Sequence, residues 1–385
     1  MKKIFLGIII AFLFIPNVNA EENLAQNSKS AILLEASTGK IIYEKNADEQ
    51  LAPASMTKIM SMLLIMEAIE KGQITFDDSV IVSKTAADMG GSQVFIQEGE
   101  TYKVQELLKG VAIASGNDAV VALAEKVAGS VESFVIKMNE RAGQLGLKNT
   151  NFMNPHGLDA ENHYSSAKDM LIIAKELIKH EKILEFTSIY EDYLKKPDGS
   201  SIWLVNTNRL VRFYDGVDGL KTGFTSTAGY CLTSTAMKNN IRFVTVVMGV
   251  ETSDKRSEDT VELLNHGFNN YKLNTLLTKE HVLGKVRVEN SKEESVEVIL
   301  KEDITELLKN TDQVKSYSFN LKVGKLKGNI KHGDTIGTVE VIDNENNIIM
   351  EKEVTVKNDV HKANLWDLFN KNLKEITSGK ILIKN

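Results

Sequence analysis

The sequence predicts an α/β protein: a mixed sheet flanked by helices, then a small all-β domain and a C-terminal amphipathic helix. Three observations carry this. Strand patterns stand at Ala31–Glu35 and again from Ala228 to Val250, with helical patterns between them. After Leu273, glycines punctuate short period-two segments such as Ser295–Leu300 and Thr335–Val341. Near the end, Leu365, Trp366, Phe369, Leu373 and Ile376 recur at helical spacing on one face.

A chain of 385 residues has room for two or three domains. Lys2 and Lys3 precede an apolar run, Ile4–Ile15, that is shorter than the ~20 residues a membrane span needs. Pro16 breaks the run, and Val18 and Ala20 occupy the −3 and −1 positions of a cleavage site. Residues 1–20 therefore read as an export signal, with an uncleaved anchor as the rival. Its removal takes two lysines and no acids, so the formal charge of −6 becomes −8. Cys231 is the only cysteine, which leaves no internal disulfide; between Tyr230 and Leu232 it reads as a buried, inert thiol.

Ala31–Glu35 and the strand beginning at Ile41 flank the turn Ser37-Thr38-Gly39-Lys40, forming a hairpin. Met56–Ile69 follows Pro53, is apolar nearly all round, and reads as a buried helix closed by Gly72. Helical patterns recur at Val104–Ile113, Ala119–Ala128, Val131–Leu145 and Ala167–Lys179. Strands at Ala228–Met237 and Ile241–Val250 lead to a helix over Asp259–Tyr271, which closes a first domain of residues 21–273. Residues 274–362 form the β-rich domain. In the tail, 363–385, Asp367, Lys371, Lys374 and Glu375 oppose the apolar stripe. Such a helix lies in a membrane interface or docks on its own β domain, and both readings stand.

The seven histidines show no metal-ligand spacing, so neither a metal nor a cofactor is expected. No basic stripe interleaves with aromatics, which argues against nucleic acid as a partner.

The chemistry resides in Ser55-Met56-Thr57-Lys58, Ser115-Gly116-Asn117 and Lys221-Thr222-Gly223. Short patterns recur by chance: S-x-x-K also occurs at Ser37 and Ser165. Ser55 is set apart by standing at the start of a buried helix. Three residues later on the same face, Lys58 lies beside it, desolvated by apolar neighbours. Burial and a second cation, Lys221, lower its pKa, so that neutral Lys58 can take the proton of a Ser55 nucleophile. The free N–H groups of the helix start lie near the developing oxyanion. Ser115 and Asn117 fall in a loop between two helices, Ser115 placed to relay a proton to a leaving amine and Asn117 to hold a substrate amide. Lys221-Thr222-Gly223 precedes a strand. Gly223 lets substrate backbone approach, Thr222 and Thr225 offer hydroxyls to a substrate carboxylate, and the Phe224 N–H pairs with that of Ser55 as an oxyanion hole.

Across residues 30–270 the chain resembles the serine D-alanyl-D-alanine carboxypeptidases among the low-molecular-mass penicillin-binding proteins. The three fragments occur in that family's order. Pro53–Lys58, Ala114–Ala119, Asn154-Pro155-His156-Gly157-Leu158 and Asp218–Gly223 look like family stretches. The β domain and amphipathic tail extend the resemblance to nearly the whole mature chain. It implies a β-lactamase/transpeptidase-like fold and removal of the terminal D-alanine from peptidoglycan stem peptides ending in D-Ala-D-Ala. It also implies acylation by β-lactam antibiotics and, through the tail, a place at the outer face of the cytoplasmic membrane.

Rival functions remain on the same residues. A β-lactamase needs a well-placed deacylating acid, and no loop between Asn117 and Lys221 is evidently dedicated to one, Glu161 being the residue that keeps this rival open; a transpeptidase passes the acyl group to an amine. A non-catalytic peptidoglycan-binding scaffold would have a broken fragment, and none is broken. His156 is rejected as a triad base because Lys58 fills that role and no partner acid is evident. His163 and Asp169 read as structural. Arg209 and Arg212 read equally as carboxylate contacts or as exposed surface.

Overall fold

The computed structural model describes residues 23–367 together with 369, 370 and 373. The expected export segment 1–20 and most of the expected C-terminal helix lie outside the described residues.

Five strands build the central sheet: β1 (Ser30–Glu35), β2 (Ile41–Lys45), β3 (Val217–Thr225), β4 (Gly229–Lys238) and β5 (Ile241–Val250), in the order β2-β1-β5-β4-β3. The α/β class holds, but the sheet is not mixed: every pairing within it is antiparallel. β3, β4 and β5 are joined by tight turns, which force antiparallel neighbours. β1 then meets β5, with Ser30 opposite Met248 and Glu35 opposite Phe243.

Both faces of the sheet are covered, which explains the unbroken apolar run in β1. Ile32 and Leu34 pack with Val244, Val246 and Met248 into the larger core. That core also takes in α1 (Lys58–Glu70), α2 (Val104–Ala114), α3 (Asn117–Ala128), α4 (Val131–Gln144) and α5 (Ala167–Leu177). Ala31 and Leu33 point the other way, onto Leu263 and Leu264 of α6 (Ser253–Asn270). This last helix begins six residues before the expected Asp259, because the Thr252 side chain caps it by accepting the Lys255 N–H.

From Tyr271 to Val356 the elements beyond α6 are all strands. Tyr271–Leu277 pairs with Ile304–Lys309, and a six-stranded sheet runs from Val282 to Val356 around Val298, Leu300, Val339, Val341 and Val354. Tyr271 and Leu307 join the core beneath α6, and Ser37 Oγ lies 3.2 Å from Thr305 Oγ1, so the two parts are in contact. Among the described residues, no helix is long and apolar enough to cross a membrane.

Candidate active site

Ser55 does not stand on the α-helix itself. It lies in a single 3₁₀ turn, Ala54–Thr57, ahead of α1. The sequence reading of its spacing survives, because residues i and i+3 eclipse in a 3₁₀ turn as they neighbour on an α-helix. Pro53 favours the tight turn, and Ala54 adopts φ 46°, a left-handed conformation that alanine rarely takes.

Lys58 is fully buried, and its Nζ has three partners: Ser55 Oγ at 3.0 Å, Asn117 Oδ1 at 2.6 Å and the His156 carbonyl at 2.7 Å. The orientation of Asn117 is fixed, because its Nδ2 donates to the Gly90 carbonyl at 2.7 Å. Both carbonyl oxygens facing Lys58 only accept. As the ammonium, Nζ donates to all three oxygens; once the amine is neutral, the two carbonyls can take its two N–H bonds and leave its lone pair for the Ser55 hydroxyl. Burial, then the charge of Lys221, hold the Lys58 ammonium well below its usual pKa, opposed only by buried Asp118.

Ser115 and Gly116 form the link between α2 and α3, and Asn117 is the first residue of α3 rather than part of the loop. Ser115 adopts φ 64°, ending α2 in the left-handed conformation. Its Oγ is buried and, among the described residues, has no hydrogen-bond partner, a cost usually explained by function. Behind it, Asp118 accepts from the N–H groups of Val94, Ile96 and Ala119, anchoring the neighbouring loop.

Lys221-Thr222-Gly223 lies inside strand β3, not ahead of a strand. β3 is buried along most of its length and so lacks the alternation that would mark it. Lys221 is buried and its pKa is pushed down to about 7, by desolvation first and then by Arg256. Its Nζ donates to the Thr222 carbonyl at 3.1 Å. Thr222 Oγ1 donates to Thr207 Oγ1 at 2.7 Å. Gly223 backs onto the nucleophile turn: a Cβ there would lie 2.7 Å from the Pro53 carbonyl oxygen. Phe224, half exposed, packs at a tilt of 33° against Tyr230 with ring centroids 4.3 Å apart. The Thr225 hydroxyl donates to Asp159 Oδ1 at 2.8 Å and accepts from the Ala228 N–H, so its only proton is committed away from the expected carboxylate.

Two residues here were absent from the sequence reading. Arg256, buried on the first turns of α6, charges the pocket behind Lys221, and among the described residues its Nε has no hydrogen-bond partner. Thr207, exposed, receives the Thr222 hydroxyl. Thr252, a capping residue just past the end of β5, was the available signal for the earlier helix start that carries Arg256.

His156 contributes its carbonyl, not its ring, whose pKa burial and the Lys58 charge push down to about 3. His163 accepts from the Met153 N–H at Nδ1 and lies 2.8 Å from Thr57 Oγ1 at Nε2, so its neutral ring braces the turn. Asp169 accepts from Asn149 N–H and the Thr150 hydroxyl, as a structural residue does. Arg209 and Arg212 are exposed, and Arg212 lies over the Tyr190 ring at 4.8 Å. Cys231 is buried, its thiol pKa raised to about 11 by burial.

Comparison with known proteins agrees with this geometry. The family model for D-alanyl-D-alanine carboxypeptidase matches residues 17–252, and that for the penicillin-binding protein 5 C-terminal domain matches 271–362. The chain is 44% identical to D-alanyl-D-alanine carboxypeptidase DacF of Bacillus subtilis, over 99% of this chain and 100% of the relative. It is 34% identical to DacC of Escherichia coli, over 93% and 92%. Penicillin binding protein 5 from Haemophilus influenzae superposes with a TM-score of 0.69 at 32% identity, covering 87% of this chain and 98% of that one. PBP3 from Streptococcus pneumoniae gives 0.70 at 28% identity, covering 87% and 99%. By motif order, fold and overall likeness, this chain belongs to the serine-type D-alanyl-D-alanine carboxypeptidases of the low-molecular-mass penicillin-binding protein family.

Proposed function

We propose that Ser55 is the acylated nucleophile of a carboxypeptidase that removes the terminal D-alanine from peptidoglycan stem pentapeptides. The observation carrying this reading is Lys58 held by two carbonyl acceptors with its remaining direction on Ser55 Oγ. Neutral Lys58 takes the Ser55 proton as Oγ attacks the carbonyl of the penultimate D-alanine. The N–H groups of Ser55 and Phe224 serve the oxyanion, and Asn117 serves the substrate amide. Ser115, whose hydroxyl is unpaired, passes a proton to the leaving amine. The terminal carboxylate sits at Thr222 and Thr207, with Lys221 and Arg256 supplying positive charge. Water then cleaves the ester with Lys58 again as base. No step calls for a metal or cofactor.

The same serine opens the ring of a β-lactam antibiotic. Glu161, the acid on which a β-lactamase reading leans, is exposed on its loop. Action on stem peptides places the protein outside the cytoplasm, at the membrane's outer face if the tail beyond residue 363 seats there. Trimming pentapeptides removes the donor for cross-linking and so limits it.

The test is D-alanine release from a diacyl-Lys-D-Ala-D-Ala peptide by the wild type and by Ser55→Ala, with penicillin adducts followed by intact mass. Release and adduct that both vanish in the variant support the reading. A variant that still releases D-alanine overturns the assignment of Ser55.

A further inference from the structure

β3 lies at the edge of the central sheet; among the described residues no strand pairs with its outer side. An extended peptide can add there. In the proposed reading the terminal carboxylate sits at Thr222 and Thr207 and the scissile carbonyl at Phe224. The substrate therefore runs antiparallel to β3, and its upstream residues pass Thr225 and the turn beyond. At about 3.3 Å per residue, the residue preceding D-Ala-D-Ala comes alongside Thr225–Thr227.

At that position Asp159 supplies a fixed carboxylate. Asp159 Oδ1 accepts from the Thr225 hydroxyl at 2.8 Å, and Oδ2 accepts from the Thr227 hydroxyl at 2.9 Å. The two bonds hold the carboxylate plane at the rim of the cleft, while Asp159 itself stays exposed. Each oxygen keeps a further lone pair for another donor. Among the described residues no Lys or Arg is paired with Asp159, and the titratable group that feels its charge is His163. A cationic side chain arriving on the substrate would find an oriented carboxylate, with little ordering left to do.

We propose that Asp159 is a specificity subsite for the free side-chain ammonium of the residue preceding D-Ala-D-Ala, so that stem peptides with an unmodified diamino acid are preferred. This rests on the carboxypeptidase reading above.

The experiment compares Nα-acetyl-Lys-D-Ala-D-Ala, whose ε-amine is free, with its Nα,Nε-diacetyl counterpart, measuring D-alanine release at low and high salt. An exposed ion pair predicts about a two- to fivefold higher kcat/KM for the free amine, shrinking with salt. Asp159→Asn brings the ratio to one, and Asp159→Lys turns it against the free amine. Equal rates in the wild type, or a preference that survives Asp159→Lys, overturn the subsite while leaving the carboxypeptidase intact. Release from neither peptide overturns both.

Discussion

A Cβ on Gly157 would lie 1.9 Å from the carbonyl oxygen of Ala54, and Gly157 holds φ +88°. The loop carrying the Lys58-binding carbonyl of His156 is thus pressed directly on the residue before the nucleophile. Asn154 Oδ1 fastens that loop by accepting from the Gly157 N–H at 2.6 Å, and Ser61 Oγ donates to the Pro155 carbonyl at 2.6 Å.

Gly157→Ala should therefore lose activity through geometry alone. Neither the left-handed backbone nor the backbone contact can relax cheaply, so the cost is on the order of 3 kcal/mol or more. Urea unfolding and penicillin acylation check this together. A variant of wild-type stability that still acylates normally would show that the loop is not pressed on the turn.

Loss of the base itself should separate function from stability. Lys58→Met is expected to slow acylation by about 10²–10⁴-fold, the usual contribution of a general base. The same change replaces a desolvated amine by an apolar side chain. A lysine whose folded pKa is depressed binds fewer protons than in the unfolded chain, so it destabilises at low pH and the penalty fades as pH rises. For Lys221, pushed down to about 7 against 10.5 for a free lysine, the penalty fades between these two values. Lys221→Met should raise the melting temperature clearly at pH 6.5 and by less at pH 10. A gain that grows with pH would contradict this sign.

Ser55, Lys58, Ser115 and Lys221 were legible because the three short fragments occur together in one order and Ser55 stands just before a buried apolar helix. The 3₁₀ geometry was not, because Ala54 at positive φ is imposed by Gly157 and Gly223 packing from distant segments. β3 was hidden for a related reason: strands buried on both faces lose their alternation. The antiparallel sheet escaped notice because helices between distant strands suggest crossovers, whereas β1 enters beside β5 from the far end of the domain. Arg256 was missed with the start of α6, and Thr207 because a lone threonine carries no motif.

The coupling between the two buried lysines has its own signature. Lys221 is the second cause of the lowered Lys58 pKa, after burial. Lys221→Gln should move the acid limb of the acylation pH profile to higher pH, since removing a neighbouring cation lets Lys58 keep its proton longer. The readout is the penicillin acylation rate against pH, which remains measurable where peptide turnover is slow. A limb that stays in place would mean that the two amines do not interact.

Acid should loosen the nucleophile turn before it unfolds the sheet. His163, braced against Thr57, has its pKa pushed down to about 4, and His156 to about 3, each mainly by burial. Both are depressed below the 6.5 of a free histidine, so between 6.5 and those values the unfolded chain binds more protons than the folded one. Stability must then rise with pH across that window, by up to about 1.4 kcal/mol per pH unit for each ring. Unfolding free energies from urea titrations between pH 4 and 6.5 give the slope. His163→Asn should flatten it by the share of one proton whatever it does to the absolute stability. An unchanged slope would mean that His163 is already free to charge in the folded protein.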